Sequence, residues 1–148
     1  MIRRMHASEE NALLVGSFLF ETFAQEHRFG GETVPVNPQR AYETIWRMLK
    51  HGVVWVAEDG DRIVGSLSIE RDRLWWSDTD ILVDGWFYIR PDSRDPTLAL
   101  RLIREARTFA DGTPLCIRVF NADDVDRKDA FLRKIGFAPM GGIYLMET

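Results

Sequence analysis

The sequence predicts a single α/β domain on a mixed sheet, and three observations carry that expectation. Two strand-like runs, "VVWVAE" (53–58) and "RIVGSLSIE" (62–70), flank "DGD", a strong hairpin signal. Two helix-patterned segments with their own start and stop residues stand before that hairpin. Strand and helix segments then alternate to the end of the chain, which calls for at least one parallel pair. With 148 residues, 45% of them hydrophobic, the chain is long enough to bury one core without disulfides.

Each element has its own local reason. A short strand is compatible with Ile2 to Met5. "SEENALLVGSFLFETFAQEH" reads as a helix, with Ser8 at the N-cap and Glu9 and Glu10 favouring its N-terminal dipole. Leu14, Val15, Phe18 and Leu19 form its apolar stripe. "RFGGETVPV", with Gly30, Gly31 and Pro35, reads as a loop. A second helix begins where Asn37 caps and Pro38 takes the first helical position, and Gly52 ends it. After the hairpin come "ILVDGWFYI" (81–89), a helix from Pro96 to Ala110, the strand "PLCIRVF" (114–120), the helix "DRKDAFLRKIG" and a last strand around "GGIYLME". "LWW" (74–76) extends the second strand or precedes the third. Along the Pro96–Ala110 helix, Leu98, Leu102, Ala106 and Phe109 should face the sheet, with Arg101 and Arg104 in water.

Composition narrows the function. A net charge of −4 and a pI of about 5.4 remove any chain-wide case for nucleic-acid binding. No apolar run approaches the roughly 20 residues of a membrane helix, and "MIRRMHASEE" is interrupted by charge too early for a signal peptide. The one cysteine, Cys116, fits a reducing cytoplasm and reads as a buried small hydrophobe. His6, His27 and His51 stand near helix ends without metal-ligand spacing, so no metal is expected.

The element order, together with "FYIRPDSR…A.RLI" and "FLRKIGF", resembles the GNAT superfamily of acyl-CoA-dependent N-acetyltransferases. Tyr88-Ile89-Arg90-Pro91-Asp92-Ser93-Arg94 fits the family's strand end, and Phe131, Lys134, Gly136 and Phe137 fit its Gly-Phe motif. The run "WWSD…D..FYI.P", Trp75 to Pro91, is similar to the variety found in bacteriophage genomes. The resemblance implies acetyl-CoA as co-substrate, a small-molecule or protein amine as acceptor, and a cytoplasmic enzyme acting by direct transfer. It implies that the edge Phe87, Tyr88, Ile89 pairs with the pantetheine arm. The helix start that follows would hold the pyrophosphate on its unpaired amides. Gly85 is compatible with a bulge that begins the required strand splay, and equally with a gap left for a neighbouring Trp.

The phosphate loop departs from the family. Against Arg-Gly-x-Gly-x-Gly/Ala the chain offers Arg94, Asp95, Pro96, Thr97, Leu98 and Ala99, so only the two ends fit. Asp95-Pro96 is a good helix start in its own right. The Asp95 carboxylate is expected to accept from the amides of Thr97 or Leu98, the donors a pyrophosphate would use, which makes the loop degenerate. The family's tyrosine acid falls on Leu132. Asp84 is then the candidate base and Tyr88 the candidate acid, with Tyr144 behind it. The rival reading is a GNAT-fold binding or structural protein, a component of a phage or phage-like particle. Trp75 and Trp76 would serve such a role, or an oligomer, if exposed.

Overall fold

The structure, a computed structural model, describes residues 1–23, 28–29, 32–119, 125–142 and 144–146. The elements are β1 (Ile2–Met5), α1 (Glu9–Phe18) running into a π-helical turn (Leu19–Phe23), β2 (Arg28–Phe29), β3 (Glu32–Thr33) and α2 (Pro38–His51). There follow β4 (Val53–Asp59), β5 (Arg62–Arg73), β6 (Asp80–Ile89), α3 (Leu98–Ala110), β7 (Leu115–Cys116) and α4 (Val125–Lys134). One five-stranded sheet has the order β1-β4-β5-β6-β7. All its pairs are antiparallel except β6–β7, the parallel pair across α3. β2 and β3 form a separate ribbon, where a loop was expected. His27, Gly30 and Gly31 lie outside the described residues.

The capping residues act as read. Ser8 Oγ accepts from Asn11 N at 3.1 Å and Asn37 Oδ1 from Arg40 N at 3.1 Å, each satisfying an orphan amide of a first turn. Gly52 closes α2 and leaves no room for a side chain, since a Cβ there would lie 2.5 Å from the Ile69 carbonyl oxygen. Gly60 takes φ +61 in the tight β4–β5 turn, a conformation that favours glycine.

Two cores sandwich the sheet. Val15, Phe18, Ile45, Met48, Val54, Trp86 and Tyr88 fill the face under α1 and α2. Trp55, Leu67, Ile69, Leu82, Leu98, Leu102 and Ala106 fill the face under α3. β4 is therefore buried on both sides, and its run of Val53 to Ala57 shows no polar alternation. On β6 the two faces change over at a bulge. Ser68 pairs with Trp86 and Ile69 with Asp84, so Gly85 is the unpaired extra residue. Leu82 consequently packs under α3, whereas Trp86 and Tyr88, at the same parity, pack under α1 and α2. Gly85 is thus a bulge residue. Ser68 Oγ and Met48 Cε stand 2.6 and 2.9 Å from where an added Cβ would lie.

Several expectations need correction. Leu14 is exposed, and Asn11 and Ala12 join Val15 and Phe18 on the inner side of α1. Asn11 is tolerated there because its amide donates to the His6 carbonyl at 2.9 Å. Phe109 is 40% exposed at the rim of the sheet, edge-on to Trp55 at 6.0 Å and beneath Arg4 at 5.5 Å. Leu98, Leu102 and Ala106 are buried as expected, and Ile103 joins them. Trp75 and Trp76 lie in the β5–β6 turn, 91% and 65% exposed and edge-to-face at 5.3 Å, so neither belongs to a strand.

The C-terminal part is less packed. β7 stops at Cys116, well short of the predicted 114–120 strand, and Phe120 lies outside the described residues. α4 buries none of its described side chains, and Leu132 is half-buried. It ends at Gly136, φ +103, with Phe137 N donating back to Leu132 O at 2.9 Å, so the Gly-Phe motif serves as a helix stop. The described residues of "GGIYLME" form no strand, and Ile143 and Glu147 lie outside them. Tyr144 is 94% exposed.

Candidate functional site

The site is defined by where β6 loses a neighbour. Along one edge β6 pairs with β5 from Asp80 to Ile89. Along the other it pairs with β7 only at Leu82 and Val83. From Asp84 onward no described strand continues that second ladder, and residues 120–124, which follow β7, lie outside the described residues. Phe87 and Ile89 are half-buried against the α3 core. Tyr88 is buried on the opposite face, its ring 5.9 Å from Phe18.

Asp84 sits just past the last pair of the β6–β7 ladder and is 4% exposed. Its Oδ1 accepts from Arg118 N at 3.0 Å and Arg118 Nε at 3.2 Å, and a terminal guanidinium nitrogen of Arg118 donates to the Asp84 carbonyl oxygen. Burial pushes the Asp84 carboxyl above the ordinary carboxylate range, and the hydrogen bonds and charge of Arg118 pull back only part of the way. Because the bulge separates them, Asp84 and Tyr88 belong to opposite faces of the sheet. The fold does not bring the candidate base and acid together.

Past Ile89 the chain is anchored before it turns. Arg90 N donates to Val64 O at 2.8 Å and Arg90 Nε to Ile63 O at 2.8 Å. Its guanidinium lies 5.2 Å from the Phe18 ring centre and 3.3 Å from Glu21. Arg94 is exposed. Asp95 then behaves as its sequence predicts. Its Oδ1 accepts from Thr97 N at 2.8 Å and Thr97 Oγ1 at 2.7 Å, and its Oδ2 from Arg101 Nη1 at 2.8 Å. The Thr97 contacts, followed by Arg101, hold its carboxyl below the ordinary range. This turn takes two residues, so α3 starts at Leu98 rather than Pro96, with Thr97 at the N-cap and no side-chain cap of its own. Leu98 is buried and Ala99 half-buried beneath the turn. The first-turn amides of Ala99 and Leu100 have no intrahelical acceptor, as in any helix.

Among the described residues no His, Cys, Asp and Glu cluster could hold a metal, and no helix is long and apolar enough to cross a membrane. A depression of about 300 Å³ lies at the other edge of the sheet, between β1 and α3 and lined by Arg4, Trp55, Glu105 and Phe109. It lies at the edge of the sheet opposite β7. Arg118 is the site residue that sequence reasoning missed. The available signal was a charged residue inside the apolar run "CIRVF", which needs a partner, with Asp84 the one acid inside the neighbouring apolar strand.

Neither the models of known protein families nor the curated proteins match this sequence. Solved structures do match in fold. An aminoglycoside N-acetyltransferase in complex with CoA superposes with a TM-score of 0.72 at 11% identity, over 100% of this chain and 93% of that one. A ribosomal-protein-alanine N-acetyltransferase from Brucella melitensis biovar Abortus 2308 gives 0.66 at 14% identity, over 100% and 99%. An integron cassette protein from V. cholerae gives 0.70 at 14% identity, over 100% and 92%. At these identities the likeness is one of fold, and the fold is that of the GNAT N-acetyltransferases.

Proposed function

We propose that this chain is an acyl-CoA-dependent N-acetyltransferase acting on an amine, with a phosphate loop weakened by its own Asp95. The observation that carries the reading is the end of the described β6–β7 ladder at Val83 and Cys116, short of the Phe87–Ile89 edge of β6 that leads toward the N-terminus of α3. An extended pantetheine arm can add to such an edge through main-chain hydrogen bonds. Arg94 and the amides of Thr97, Leu98 and Ala99 are the groups that would meet the phosphates. A fold neighbour solved with CoA supports that ligand class.

The transfer itself forms a C–N bond at the thioester carbonyl and breaks the C–S bond, releasing the thiolate of CoA and a proton from the amine. Asp84 is the proposed proton acceptor, because its raised pKa brings it closer to the task than an ordinary carboxylate. Tyr88 is assigned the pantetheine edge through its backbone; its core position against Phe18 gives less support for an acid role.

Asp95 favours a second reading, a GNAT-fold binding protein without turnover, since its carboxylate already occupies donors that a pyrophosphate needs. Titration of the protein with acetyl-CoA, followed by thermal shift and calorimetry, separates the two. A ligand that binds only the folded state adds about 2.7 kcal/mol of stability at 100 times its Kd. Asp95→Gly removes the competing carboxylate and restores the glycine at that position, so the affinity should rise about tenfold or more. Pro96 still withholds its N–H, and recovery stays partial. Tight binding unaffected by Asp95→Gly means the loop has been misread. No binding by either form removes the enzyme reading.

A further inference from the structure

The depression between β1 and α3 gathers polar groups that have nothing to bind. Arg4 stands directly across from Trp55 in the β1–β4 register, so the two side chains share the face that α3 covers. From α3, Glu105, Thr108 and Phe109 line the same depression, at the i, i+3 and i+4 spacing of one helix side. The Arg4 guanidinium lies 5.5 Å from the Phe109 ring centre. Such stacking uses the face of the group and leaves its N–H edge for an acceptor. Among the described residues none supplies one: Arg4 and Glu105 make neither a hydrogen bond nor an ion pair, although both line the depression. The adjacent Arg3, by contrast, is held by Glu58 at 2.9 Å.

Trp55 adds a third free group. It is 4% exposed, and its indole N–H has no hydrogen-bond partner among the described residues. No described side-chain nitrogen or oxygen that is shut off from solvent lacks a partner. Solvent therefore reaches that N–H, and the surface Trp55 lines is the depression.

We propose that this depression binds the zwitterion of an amino acid with an apolar side chain. The Arg4 guanidinium edge and the Trp55 N–H donate to the carboxylate, Glu105 accepts from the ammonium, and Phe109 and Ile2 flank the side chain. Arg4 and Glu105 carry no net charge together, and Arg3 is offset by Glu58. Glu105 would repel a simple carboxylate and Arg4 a simple amine, whereas a ligand with both signs satisfies both. The volume of about 300 Å³ is at the small end of ligand sites, which suits a molecule of this size. β4 and β5 separate β1 from β6, so the site does not depend on the acyl-transfer reading.

NMR titration of the full chain with L-leucine and with L-phenylalanine tests the proposal. At least one should move the Trp55 indole N–H signal saturably while those of the exposed Trp75 and Trp76 stay in place. Calorimetry should then show about tenfold or more weaker binding of the truncated ligands. These are isocaproate and hydrocinnamate, which lack the ammonium, and isoamylamine and phenethylamine, which lack the carboxylate. Glu105→Gln should weaken the amino acid about tenfold and leave the truncated acid no weaker; Arg4→Gln should weaken amino acid and acid alike, but not the amine. Both residues are exposed, so neither change should disturb folding. A Trp55 signal indifferent to both amino acids overturns the proposal. So does amino-acid binding undiminished by either substitution, or a truncated ligand that binds as tightly as the amino acid.

Discussion

Gly85→Ala is the most direct probe of the bulge on which the site depends. The backbone of Gly85 lies outside the left-handed region, so alanine is conformationally acceptable. Space is the difficulty: the new Cβ would meet Ser68 Oγ at 2.6 Å and Met48 Cε at 2.9 Å. The Met48 end can swing. Ser68 Oγ cannot move without loosening its bond from Trp86 N, now 3.1 Å. Overpacking of this kind costs about 1–3 kcal/mol, and the lost hydrogen bond about 1 kcal/mol more. The reduced freedom of the unfolded chain returns about 0.4–1 kcal/mol. A net loss of roughly 2 kcal/mol, at ~3 °C per kcal/mol for a chain of this size, lowers Tm by ~6 °C. Thermal unfolding should be measured for Gly85→Ala, Ser68→Ala and the double variant. Since Ser68 Oγ is the nearest obstacle, the alanine at 85 should cost less when Ser68 is already alanine. A single variant that melts with the unmutated protein, or a penalty undiminished in the Ser68→Ala background, refutes the reasoning.

Two further outcomes are expected. Trp75→Ala should leave stability within about 0.5 kcal/mol, because the indole is almost wholly in water; a large loss of Tm would return it to a core, and a changed mass in solution would show that the turn joins chains. Burial raises the folded-state pKa of Asp84, so the folded protein holds its proton more tightly than the unfolded chain. Its contribution to stability should therefore decline as pH rises from about 4, the ordinary carboxylate value, through the raised one. Asp80 and Asp95, held low by Arg73 and by Thr97, slope the opposite way and are common to both proteins when the unmutated chain is compared with Asp84→Asn. A Tm of the unmutated protein that rises relative to that of Asp84→Asn with pH over that window contradicts the assignment.

Much of the frame was legible because it rests on local chemistry. Ser8, Asn37-Pro38 and Gly52 bracket their helices, and Asp95 takes the Thr97 amide from inside its own turn. What escaped were features decided by partners distant in the chain. The strand expected over 114–120 stops at Cys116, and the Arg118 amide beyond it goes to an acid 34 residues earlier. Trp75-Trp76 look like strand residues by type, yet the hairpin turn must fall somewhere between Arg73 and Asp80, and it falls on them. Phe109 keeps the helical period of Leu98 and Leu102 but reaches the end of the sheet, where Trp55 and Arg4 meet it. The two faces of β6 could not be sorted without knowing that Gly85 drops out of the count.

The hydroxyl of Ser66 has a consequence for how the chain finds this fold. It is fully buried, donating to the Trp55 carbonyl on β4 at 2.9 Å and accepting from the Trp86 indole on β6 at 2.9 Å. Three strands are therefore checked against one another at a single oxygen. A hairpin that slips by two residues keeps its apolar alternation, so burial alone scarcely detects the error. It would part the indole N–H from the Ser66 hydroxyl and that hydroxyl from the Trp55 carbonyl, at about 1–3 kcal/mol for each buried group left unpaired. Ser66 acts in this sense as a check on how the three strands are paired.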